Sequence, residues 1–166
     1  MLNVRVEIRL FEEPDWPAVW AMWHDIAASA DTYDYPPDST ESDGREFWLL
    51  PSPAETWVGV VDGEVLGTYH VSPNRVGNGD HVANGSYMVA SAARGRGVGR
   101  ALVEHSLVRA RELGYSAMQF NAVVVTNASA VRLYRSLGFI IVGTIPNGFR
   151  HRELGMVDFH IMHRFL

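Results

Sequence analysis

Two rhythms along the chain predict a single α/β (α+β) domain of about seven strands and the helices that flank them. Period-two runs of apolar residues mark strands and apolar stripes at helical spacing mark helices, following one another in the order β-α-α-β-β-β-α-β-α-β-β. No repeat, linker or low-complexity stretch divides the 166 residues, so one domain is expected over residues 1–166. With 47% hydrophobic residues, the chain can bury a sizeable core.

Val4, Val6, Ile8 and Leu10 alternate with charged residues, the pattern of a strand with one buried face. Asp15 is placed to cap the next segment and Pro17 suits its first turn. Trp16, Val19, Trp20, Trp23, Ile26, Ala27 and Ala30 then make one helical stripe. The stretch "DTYDYPPDST" reads as loop, with a short helix expected from Glu41 to Leu50. "ETWVGVVDGEVLGTYHVSP" is a hairpin turning at Asp62-Gly63, a pair that suits a type I′ turn. A fourth strand follows at His81 to Ala90, then a helix from about Gly97 to Leu113 with Val98, Leu102, Val103, Leu107 and Ala110 on its apolar stripe. Strand "SAMQFNAVVV" leads to a helix that Asn127 can cap and Gly138 can end. Strands near Phe139 to Ile145 and Val157 to Phe165 complete the pattern.

A net charge of -5 argues against affinity built on neutralising many phosphates, so no nucleic-acid partner is expected. The absence of cysteine removes disulfides, thiolate metal sites and a cysteine nucleophile. The first residues read as a strand rather than a signal peptide, and no apolar run is long enough to span a bilayer. A cytoplasmic protein without a membrane partner is the expectation. His160 and His163 would fall on opposite faces of a strand, and no metal is expected.

Between the fourth strand and its helix lies "ARGRGVGR". A strand, a glycine-rich turn and a helix N-terminus together form an anion site, because unpaired amides and the helix dipole point at the same spot. Arg94 and Arg96 add positive charge, and Gly95, Gly97 and Gly99 remove Cβ atoms from the approach. A P-loop would need a lysine followed by Ser or Thr where Arg100-Ala101 stands, and a dinucleotide fingerprint would need G-x-G-x-x-G. The bland alternative is a turn that only packs helix on strand.

The run Arg94 to Gly99 resembles the R/Q-x-x-G-x-G/A signature of the GNAT superfamily of N-acetyltransferases. "NASAVRLYRSLGF" (Asn127 to Phe139) is similar to that family's second cofactor segment, and the order of elements is also theirs. The resemblance implies the GNAT fold, a twisted mixed sheet of about seven strands, and acetyl-CoA as co-substrate, held in a cleft between the fourth and fifth strands. It implies Met88, Val89, Arg94, Gly95, Arg96, Gly97, Val98, Gly99, Arg100, Asn127 and Tyr134 as cofactor-binding residues. It further implies direct acetyl transfer to a small amine, with the Val89 amide polarising the thioester carbonyl and Tyr134 giving a proton to the departing thiolate. Ser91 stands where the family often has proline.

Tyr134 shares its helical stripe with Ala130 and Leu137, so a core aromatic is the alternative to a catalytic one. For the general base, His81 or a water-mediated path is open, with His70 and His151 no better placed. Asn84 with Ser86, and Gln119 with Asn121, share strand faces, and carboxamides inside strands either face a cavity or find local partners. "HVANGSYMV", "MQFNAVVVTN" and "GTIPNGFRH" resemble the GNAT branch that includes proline-analogue N-acetyltransferases. That likeness implies Asn84 and Asn121 as substrate-pocket residues and an amino-acid-like amine, with Arg150 or His151 near its carboxylate. Tyr33 and Tyr35 read either as a lid over the substrate or as ordinary loop. Rival functions are a protein N-terminal or lysine acetyltransferase and a non-catalytic CoA-binding sensor. The apolar last strand, "FHIMHRFL", would suit a homodimer.

Overall fold

A computed structural model describes residues 5–166. Val4 of the first strand pattern lies outside them. One seven-stranded sheet runs through the molecule in the order β1-β2-β3-β4-β5-β7-β6. Its strands are β1 (Glu7–Leu10), β2 (Glu55–Val61), β3 (Glu64–Pro73), β4 (Val82–Val89), β5 (Ala117–Val124), β6 (Ile140–His151) and β7 (Gly155–Phe165). Every neighbouring pair is antiparallel except β4 and β5.

Helices α1 (Trp16–Ser29) and α2 (Glu41–Trp48) cover one face. Trp16, Val19, Trp23 and Trp48 bury there against Val58 and Met88. Helices α3 (Val98–Glu112) and α4 (Ala128–Ser136) cover the other face, over Tyr69, Val71, Met118 and Phe120. The predicted α3 stripe is the buried one, joined by Ser106. Its close approach depends on Gly67, where an added Cβ would stand 2.8 Å from both Leu102 and Val98. No helix among the described residues is long and apolar enough to cross a membrane.

The β2–β3 turn has positive φ at both Asp62 (52°) and Gly63 (84°), as a type I′ turn requires. Two expectations are corrected. Asp15 does not cap α1: its carboxylate is held by the Arg9 guanidinium at 2.7 Å and by the Glu12 N–H at 2.8 Å, within a one-turn 3-10 helix preceding α1. Bidentate pairing with a guanidinium outcompetes a lone capping bond. The sixth strand does not stop at Ile145 but resumes through a bulge to His151. Pro146 is tolerated because β6 is the sheet edge, where a missing N–H leaves no ladder partner unserved. Asn147 takes φ 52°, and its N–H donates to the Asp158 carboxylate at 2.9 Å.

Candidate active site

The parallel strands β4 and β5 pair at only three positions, Val82 with Ala117, Ala83 with Met118 and Asn84 with Gln119. Past Asn84 the strands part, and a cleft of about 880 Å³ opens between Gly85–Val89 on one side and Phe120–Val124 on the other. The phase of the β3–β4 ladder is fixed by Ala90 N–H to Leu66 C=O (2.9 Å) and Asn74 N–H to Val82 C=O (2.7 Å). Even-numbered β4 residues therefore pair with β3, and Gly85, Tyr87 and Val89 turn their N–H and C=O toward the edge that β5 has left. Met88, by contrast, turns its main chain to β3 and its side chain into the α1 core.

Gly85 permits the fold-back of Tyr87, since an added Cβ would lie 2.7 Å from the Tyr87 hydroxyl. That hydroxyl bonds Ser106 Oγ at 2.7 Å, and the ring packs edge-on against Phe120. The strand's departure from β5 is thus held by side chains.

The glycine loop closes one end of the cleft. Gly95 and Gly97 have φ of 76° and 85°, and a Cβ added to either would meet no protein atom. Gly99 differs: its φ is unremarkable and its Cβ would make ordinary contact with Val89 at 3.6 Å. The N–H groups of Arg94 and Arg96 are used in turns, to Ser91 C=O at 3.3 Å and Ala93 C=O at 3.2 Å. The first helical bond of α3 runs from Ala101 N–H to Gly97 C=O, and no side chain caps Gly97. The amides of Gly95, Gly97, Val98, Gly99 and Arg100 find no protein acceptor among the described residues, a ready cradle for a diphosphate. Arg94 and Arg100 line the cleft, Arg100 with its guanidinium on Ser136 Oγ at 2.7 Å and Glu104 at 3.3 Å, while Arg96 turns outward to Asp62 at 3.7 Å.

On the facing wall stand Asn127 and Tyr134. Asn127 Oδ1 accepts from Ala130 N–H at 3.3 Å, capping α4 as the sequence suggests and leaving the Nδ2 donors to the cleft. Tyr134 packs on Phe120 (ring centroids 4.5 Å apart), and no described residue hydrogen-bonds its hydroxyl. Burial raises its pKa well above the usual phenol value, with the Tyr33 and Tyr87 hydroxyls adding to the rise, so it stands protonated at neutral pH.

The other end is polar. Asn84 and Asn121 both line it, but each also has partners: Asn84 Nδ2 donates to Gln119 C=O at 3.0 Å, and Asn121 joins Gln119 Nε2 (2.9 Å) to Asn74 Oδ1 (2.7 Å). Gln119 itself lies off the cleft. Tyr33 and Tyr35 line it as a parallel stack, rings 5.3 Å apart at 3°. Sequence reasoning missed Asp31, Asp34 and Phe149 here, because nothing local marks them and the expected sixth strand stopped short.

Of the histidines considered as bases, His81 is exposed at the foot of β4, outside the cleft. His70 is buried behind the sheet against Trp48, and burial lowers its pKa to about 4. His151 does line the cleft, but its Nδ1 accepts from the Glu153 and Leu154 amides at 3.1 and 3.3 Å, which fixes the Nε2–H tautomer. It is a donor in this state. Arg150 is exposed and lies off the cleft.

Comparison with known proteins agrees with this geometry. The acetyltransferase (GNAT) family model matches residues 20–139. The solved GCN5-related N-acetyltransferase from Kribbella flavida is 47% identical, covering 97% of this chain and 98% of its own at a TM-score of 0.93. A ribosomal-protein-alanine N-acetyltransferase from Brucella melitensis is 26% identical over 96% of this chain and 99% of its own, TM-score 0.82. N-acetyltransferase aca1 of Schizosaccharomyces pombe is 34% identical over 98 residues, 58% of this chain and 47% of that protein, so the match spans about half the relative's length.

Proposed function

The chain belongs to the acetyltransferase (GNAT) family, acyltransferases whose co-substrate is acetyl-CoA, and from that premise we propose that it acetylates a small free amine, with an amino acid or proline analogue as the leading class. The residues fit the co-substrate: open amides at the α3 N-terminus, two free glycine faces and Arg94 suit a diphosphate, and the main chain of Val89, left open on the β4 edge, suits the arm that follows it. Acetyl-CoA would supply the acetyl group as an activated thioester. Val89 N–H, facing the cleft, is the donor for the carbonyl oxygen as it gains charge. Tyr134 holds the proton destined for the departing sulfur. The proton of the attacking amine leaves toward water at the polar end, since His151 Nε2 already carries one.

One observation carries the small-amine reading. The β6–β7 hairpin is strapped onto the end of α1, with Arg152 N–H on Ala30 C=O at 3.1 Å and its guanidinium on Ala28 C=O at 3.2 Å. That hairpin brings Phe149 and His151 into the lining beside the Tyr33–Tyr35 stack, and the bulk of these side chains favours a small acceptor over an extended peptide. The likeness to the Brucella enzyme favours a second reading, acetylation of a protein N-terminus. Thiol release from acetyl-CoA across amino acids, proline analogues, polyamines and short peptides separates the two. Turnover of free amines is expected. Turnover of peptides alone would reverse the assignment, and binding without thiol release would replace it with a sensor.

A further inference from the structure

Beyond Asn84, the cleft-facing edge of β4 offers three sets of main-chain groups, those of Gly85, Tyr87 and Val89. They are not equivalent. The Tyr33 hydroxyl accepts a hydrogen bond from Tyr87 N–H at 2.9 Å and donates one to Tyr87 C=O at 2.8 Å. A single phenol oxygen, 54 residues away in sequence, does for Tyr87 what a paired β5 residue would do in a closed sheet. The ring lies flat on Tyr35, which packs in turn on Trp23 and Phe47, so the hydroxyl is braced from the α1–α2 core. Burial pushes the Tyr33 pKa up to about 12, so the proton given to Tyr87 C=O stays in place.

We propose that Tyr33 is a positioning residue: by occupying the Tyr87 main chain it stops any ligand from pairing there and sets the register in which the thioester end of acetyl-CoA meets the Val89 amide. This rests on the acetyl-CoA reading above. Tyr33 acts through the strand, and the acceptor amine then enters on its far side, between it and Asn84. Loss of the hydroxyl would leave two open registers two residues apart, of which only one brings the carbonyl to Val89.

Amide hydrogen exchange on the intact protein tests this without knowledge of the acceptor. In the free enzyme Tyr87 N–H is expected to be protected and Val89 N–H to exchange fast; added acetyl-CoA should protect Val89 and leave Tyr87 unchanged. A gain of protection at both amides would mean the ligand displaces Tyr33, and would overturn the proposal. Tyr33→Phe keeps the stack and removes only the two bonds. It should lower kcat for any accepted amine by about tenfold or more, leave the CoA dissociation constant within about threefold, and expose Tyr87 to exchange. An unchanged kcat, or a lowered kcat with Tyr87 still protected, would sink it. Should the wild-type enzyme acetylate no free amine, the small-amine reading fails while the exchange pattern still decides the role of Tyr33.

Discussion

Helix α3 begins at Gly97 with no side chain over its first turn, whereas α4 begins at Asn127, whose Oδ1 closes onto Ala130 N–H. Both N-termini face the same cleft. A capped helix start costs nothing to keep in a folded protein; an uncapped one leaves amide donors that only water or an anion can satisfy. The two ends therefore divide the work. Helix α3 contributes main chain and positive potential, and α4 contributes side chains, Asn127 Nδ2 and the Tyr134 hydroxyl.

The sharpest way to break this division is at the side-chain end. Tyr134→Phe removes the proposed proton donor and should lower kcat by about 100-fold while the acetyl-CoA dissociation constant stays within about threefold, as steady-state kinetics beside calorimetry would show. A kcat within a factor of about two would return Tyr134 to the core. Gly97→Ala comes next: at φ 85° an L side chain is strained and its methyl enters the open face of the loop. Losing one good charge-assisted amide bond should raise the acetyl-CoA KM by about 10- to 100-fold with kcat little changed. Asn127→Ala should cost about 1 kcal/mol of stability in urea unfolding, the typical worth of a cap, with a smaller loss of affinity. If affinity fell and stability held, the cap would be incidental. Gly99→Ala should do least, since its Cβ would sit in ordinary contact with Val89. A KM change above about threefold there would show that the ligand comes closer to Gly99 than the protein does.

Which parts of this were legible in the sequence follows from how local their causes are. The glycine loop, the Asn127 cap, the Asp62-Gly63 turn and the buried stripe of α3 are set by residues within a few positions of one another, and each stands where the sequence puts it. The cleft walls are set at long range. Tyr33 could be suspected from its prolines and neighbours, but its bond to Tyr87 depends on where α1 stops and how far β5 has turned away. His151 reaches the cleft because an edge strand absorbs Pro146 in a bulge, where local rules read a stop. Asp15 looked like a cap until Arg9, on the preceding strand, claimed it.

His70 is 5% exposed against Trp48, and its Nδ1 has no partner among the described residues. Its placement makes the fold sensitive to acid through proton linkage. With a folded pKa of about 4 against 6.5 in the open chain, the unfolded state binds a proton that the folded state refuses. Stability from this source is complete above pH 6.5 and drains away as pH falls toward 4, to a total of about 3 kcal/mol if the shift is fully expressed. Urea unfolding of His70→Leu should show a shallower loss between pH 7 and pH 4.5 than the wild type, and parallel curves would place the acid sensitivity elsewhere. A single imidazole buried against Trp48, directly across the β3–β4 ladder from cleft-lining Ser86, would then set the lower pH at which the acetyltransferase can be kept folded.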